Sequence, residues 1–117
     1  MNADTPAARE YPLGPVAQIP PGEGRNFRVG TITVAVFRTS AGALYATQPE
    51  CPHRRGPLAD GLMGGNTVVC PLHDRTYDLK SGAVLVGECP IEVYQVRLEG
   101  DGRISVMAPW AEALSPA

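Results

Sequence analysis

A chain of 117 residues is long enough for one domain with a single modest core. Its 10 Lys and Arg against 12 Asp and Glu leave a net charge of −2, which argues against a nucleic-acid binder. Three cysteines, an odd count, argue against a disulfide framework.

In chain order, residues 1–10 read as a loose tail, and no charged-then-apolar leader opens the sequence. The 13 glycines and 12 prolines interrupt most windows before a helix could complete three turns. Short β-branched stretches stand between them. "RNFRVG" leads into "TITVAVFRT", where Ile32, Val34 and Val36 share one face and Thr33 and Ala35 take the other. "GALYAT", "NTVVC", "RTYDL", "AVLVG", "EVYQVRL" and "RISVM" are further strand candidates. "EGDG" at 99–102 is a turn, so residues 92–106 read as a C-terminal hairpin. The expectation is an all-β domain without repeats, ending in a tail at 110–117. The most apolar run, "TITVAVF", is too short to span a bilayer. A protein of the reducing cytoplasm is expected, with cysteines free for metal.

Both histidines sit beside cysteines, in "CPHRRG" (Cys51, His53) and "CPLH" (Cys70, His73). Each pair carries a proline and lies in the turn-rich stretch 48–75, so each belongs to a stiff loop. Two loops that each offer one thiolate and one imidazole make a four-ligand metal site. Structural zinc favours like ligands paired within a loop, whereas here each loop mixes sulfur and nitrogen. The mixed pattern suits a two-iron cluster with both cysteines on one iron and both histidines on the other.

The arrangement C-x-H, sixteen residues, then C-x-x-H resembles the Rieske [2Fe–2S] family. The resemblance implies an all-β fold of stacked antiparallel sheets, over residues 11–109, with a cluster-binding subdomain at about 46–88 inserted into a base domain. It implies that Cys51 and Cys70 bind the inner iron and His53 and His73 the outer one. Four thiolates would make the oxidised centre a dianion, while two thiolates and two neutral imidazoles leave it neutral. An added electron then costs less, so the potential rises. One-electron transfer is the implied function, with no catalytic residue in the chain itself.

High-potential members of the family add a cysteine to each loop and join them by a disulfide; Gly56 and Leu72 stand there instead. A serine donor is replaced by Arg75, while the partner tyrosine is present as Tyr77, placed to donate to a ligand sulfur. Fewer donors imply a low or intermediate potential for the family. Asp74 replaces a glycine that usually follows the second histidine. Cys89, with no histidine mate, is expected to be a small buried apolar residue. Arg54, Arg55 and Arg75 are read either as wet loop charges or as a basic tip facing an acidic partner.

Proline after the first cysteine, and "GPL" after the arginines, resemble the small subunit of NAD(P)H-dependent assimilatory nitrite reductase, whose large subunit would be the partner. The alternative is the ferredoxin component of an aromatic-ring-hydroxylating oxygenase, working between a flavin reductase and the oxygenase. A zinc-stabilised binding module is the remote third reading.

Overall fold

The computed structural model describes residues 9–30, 32–52, 55–72 and 74–108. These form ten strands: β1 (Arg9–Pro15), β2 (Glu23–Val29), β3 (Ile32–Arg38), β4 (Leu44–Thr47), β5 (Leu62–Gly64), β6 (Thr67–Val69), β7 (Thr76–Asp78), β8 (Val84–Val86), β9 (Val93–Leu98) and β10 (Arg103–Ala108). Two single-turn 3-10 helices, Val16–Gln18 and Leu58–Asp60, complete the regular structure. No helix among the described residues is long and apolar enough to cross a membrane.

The strands make two antiparallel sheets. One has six strands in the order β1-β10-β9-β4-β3-β2, and the other is β5-β6-β7-β8. Strand β9 changes partners along its length. Val93 and Tyr94 lie opposite Thr47 and Ala46 of β4, whereas Gln95 to Leu98 lie opposite β10. The handover joins two base sheets into one continuous ladder. The four-stranded sheet is formed entirely from the chain between β4 and β9.

Strand β3 explains how the layers pack. Val34, Ala35, Val36 and Phe37 are all fully buried, so both faces of the strand are covered. Val34 and Val36 face a core with Ile19, Val29, Ala46, Ile104 and Val106. Ala35 and Phe37 face the other core, which contains Cys51, Leu58, Val68, Cys70, Tyr77, Leu79 and Ile91. The alternation expected from "TITVAVF" is therefore present, with apolar residues serving a core on each side.

The hairpin of β9 and β10 closes as expected, with Glu99 N–H donating to Arg103 C=O (2.8 Å) and Gly102 N–H to Glu99 C=O (3.0 Å). Strand β1 escapes the sequence pattern and begins within the stretch expected to be a tail. Pro12, Gly14 and Pro15 argue against a strand, but β1 is an edge strand, and its register shifts between Pro12 and Gly14. An edge position and a bulge are where proline is tolerated, because no second neighbour needs its missing N–H.

Candidate metal centre

The two cysteine loops share one backbone design. Cys51 N–H donates to Gly56 C=O (2.8 Å), and Arg55 N–H returns to Cys51 C=O (2.8 Å). Likewise Cys70 N–H donates to Arg75 C=O (2.7 Å), and Asp74 N–H returns to Cys70 C=O (3.2 Å). The residue four places after each cysteine takes the left-handed conformation, with φ of 61° at Arg55 and 58° at Asp74. Asp74 thus adopts the conformation a glycine would favour, which aspartate tolerates better than most residues. Prolines 52 and 71 follow the cysteines and stiffen the start of each turn.

Cys51 and Cys70 are both buried, both reduced, and members of one apolar cluster. The loops meet at Gly56. A Cβ built there would lie 2.6 Å from Cys70 Sγ and 3.2 Å from Leu72 Cγ, so in this chain the second loop's sulfur sits where a side chain on the first loop would displace it. His53, Arg54 and His73 lie outside the described residues.

Tyr77 on β7 reaches between the loops, its hydroxyl 3.1 Å from Cys51 Sγ. Burial first, and the hydrogen bond with Cys51 second, push its phenol well above the ordinary range. The hydroxyl therefore keeps its proton, and towards a thiolate it is the donor. This matches the role that the resemblance gives Tyr77.

Arg55 and Arg75, the two of the three arginines that lie among the described residues, are not bare charges. Arg55 Nε pairs with Glu50 Oε1 at 3.0 Å on an exposed surface. Arg75 grips Glu88 with a fork, Nη2 lying 3.0 Å and 3.2 Å from the two carboxylate oxygens. Each of these two cations has an acidic partner, which removes much of the field expected of them.

Cys89 corrects an expectation: it is exposed, not buried. It belongs to the irregular segment after β8 and lines an opening of about 300 Å³ with Pro52, Tyr77 and Glu88. No ladder among the described residues draws that segment into the core. Gln48 is a residue that the sequence reading missed. Its amide Nε2 donates to Glu50 C=O (2.7 Å), while its Oε1 accepts from Glu92 N–H (2.7 Å). It thereby ties the chain leaving β4 to the chain entering β9, beside the first cysteine. An isolated glutamine in a loop carries no sequence signal for such a bond.

Two buried, unbridged thiols on matched loops, with a proton-retaining hydroxyl on one sulfur, fit a centre that takes soft thiolate ligands. Comparison with known proteins agrees. The model of the Rieske [2Fe-2S] domain matches residues 9–97. The 3-phenylpropionate/cinnamic acid dioxygenase ferredoxin subunit of Escherichia coli (strain K12) is 34% identical over 101 residues, covering 84% of this chain and 92% of that protein. A protein described as the small subunit of an NADH-dependent nitrite reductase from Mycobacterium tuberculosis superposes with a TM-score of 0.80. It is 22% identical, covers 86% and 96% of the two chains, and its likeness is one of fold. The ferredoxin in a complex with the oxygenase of carbazole 1,9a-dioxygenase superposes with a TM-score of 0.72 at 26% identity, covering 83% and 91%. The chain belongs to the Rieske [2Fe-2S] domain family and is an electron-transfer protein of the Rieske ferredoxin type, with a [2Fe-2S] cluster as its cofactor.

Proposed function

We propose that this protein is the ferredoxin component of an oxygenase system, taking single electrons from a flavin reductase and passing them to a terminal oxygenase. The observation that carries this reading is the similarity to a dioxygenase ferredoxin subunit along nearly its full length. When bound, the cluster supplies a reversible one-electron carrier. Within residues 46–88, Cys51 and Cys70 would bind one iron and His53 and His73 the other. The chain's own residues then set the conditions for transfer. Gly56 and the paired turns fix the two sulfurs, and Tyr77 stabilises the more negative reduced state by donating to Cys51.

The ligand assignment is tested by replacing each cysteine with serine. Cys51→Ser and Cys70→Ser should yield little iron-loaded protein, while Cys89→Ser should keep full iron, sulfide and visible absorption. Loss of the cluster in Cys89→Ser would overturn it.

The partner is tested by stopped-flow mixing of the reduced protein with the oxidised terminal oxygenase of its own host. Reoxidation well above the rate of autoxidation is expected. A second reading, the small subunit of a nitrite reductase, draws on Pro52 and the "GPL" that follows the arginines. Electron delivery to a sirohaem nitrite reductase, with none to the oxygenase, would replace the first reading by the second.

A further inference from the structure

The segment Gly87–Cys89 has no ladder partner among the described residues, yet one side chain from the second cysteine loop holds it. Arg75 follows the turn at Asp74, and its side chain is only 19% exposed, against 66% for Glu88. Three contacts join the pair: Arg75 Nε to Glu88 Oε1 at 3.3 Å, and Nη2 to Oε1 and Oε2 at 3.0 and 3.2 Å. A planar fork that meets both carboxylate oxygens fixes orientation as well as distance. The stem of the arginine is engaged too. Gly87, at φ 136°, lies so close beneath it that a Cβ there would come within 2.7 Å of Arg75 Cγ.

The consequence lies at the next residues along. Glu88 and Cys89 line the opening together with Pro52 and Tyr77. Tyr77 is itself almost fully buried, and its hydroxyl lies 3.1 Å from the buried Cys51 Sγ. We propose that the Arg75–Glu88 pair is a latch that holds Gly87–Cys89 in place at this opening and keeps water and small solutes from the Tyr77–Cys51 bond, with Arg75 acting as a positioning residue. The shielding part rests on Cys51 being a cluster ligand. The same loop position that the resemblance gives to a serine donor is used here to close the approach.

The test uses cluster-loaded protein with Glu88→Gln, Arg75→Met and the double variant. Arg75→Met keeps an aliphatic stem over Gly87 and removes the fork. Two quantities are read: amide hydrogen exchange across residues 86–91, and the rate at which a soluble iron chelator bleaches the visible absorption. Each single variant should raise both by about two- to fivefold, the factor set by one well-formed ion pair, and the double should exceed neither single by much. Arg75→Lys, which keeps the charge without the fork, should fall between Arg75→Met and wild type, and serves if Arg75→Met does not fold. Arg25→Gln, which removes the surface pair with Glu23, should match wild type. Unchanged exchange, or strictly additive effects, would overturn the latch. Faster exchange with unchanged bleaching would overturn the shielding. Failure of the ligand reading shows separately, as full iron in Cys51→Ser.

Discussion

Tyr77 is placed to do, with one side chain, what a larger donor set would do. Its hydroxyl is 3.1 Å from Cys51 Sγ, and the ring is fully packed among Leu58, Val68 and Leu79. Reduction adds negative charge to the centre, so a donor to sulfur stabilises the reduced form more than the oxidised one. Tyr77→Phe keeps the ring and removes the donor. The midpoint potential should fall by some tens of millivolts, since a hydrogen bond of about 1 kcal/mol corresponds to roughly 40 mV for one electron. Protein-film voltammetry reads this directly, and an unchanged or raised potential would mean that the hydroxyl does not donate to the centre. Residue chemistry of this kind is legible in a sequence where the side chain has few alternative roles. Cys51, Cys70 and Tyr77 are such residues, and the structure places all three in one cluster. Cys89 misled because the usual burial of a free thiol says nothing about a segment that has no ladder partner among the described residues.

At the scale of elements, the two loops are one turn used twice. Each closes on its cysteine and puts a non-glycine residue, Arg55 or Asp74, at positive φ. That conformation costs an ordinary side chain about 1 kcal/mol or more relative to glycine, partly offset by the extra freedom glycine brings to the unfolded chain. Arg55→Gly should therefore raise stability by up to about 1 kcal/mol in urea titration, despite losing the exposed pair with Glu50. A loss of more than that amount would show that Arg55 does something beyond the turn. The repeated "CP" was visible in the sequence, but the shared turn was not, because positive φ is not expected of arginine.

The turn from β7 to β8 depends on a different residue. Asp78 accepts from Ser81 Oγ (2.6 Å) and Ser81 N–H (2.9 Å), and these bonds, helped by Lys80, hold its carboxyl below the usual range. A depressed carboxyl contributes stability that is complete above the unfolded pKa and is lost as pH falls through the native one. The difference in urea midpoint between wild type and Asp78→Ala should thus be constant from neutral pH to about pH 5 and narrow below about pH 4. A gap that stays constant into acid would show that the charge contributes nothing.

For the whole molecule, the decisive feature is that β3 separates two cores with different duties. One side holds Ile104 and Val106 with Val34 and Val36, and belongs to the six-stranded base. The other holds Phe37 against Cys51, Leu58 and Cys70, where the inserted sheet meets the base. The strand alternation in the sequence revealed β3 and its faces. It could not reveal that the second face is roofed by residues more than a dozen places further along, because that contact depends on how the loops fold back. Gln48 and the β4–β9 ladder, joining residues 46 and 47 to 94 and 93, make that return possible. The division predicts two separable effects. Ile104→Ala removes a fully buried side chain from the base core and should cost about 2–5 kcal/mol, with the electron paramagnetic resonance spectrum and chelator resistance of the remaining folded protein unchanged. Phe37→Ala should cost about 3–5 kcal/mol and also speed bleaching by chelator, because the cavity opens beside the residues that position both sulfurs. Gly24, whose close approach to the Phe37 ring leaves no room for a Cβ, offers no side chain to fill that space. If both variants bleached at the same rate under conditions where each is fully folded, β3 would not divide the molecule in this way, and the cysteine loops would depend on the base as a single undivided core.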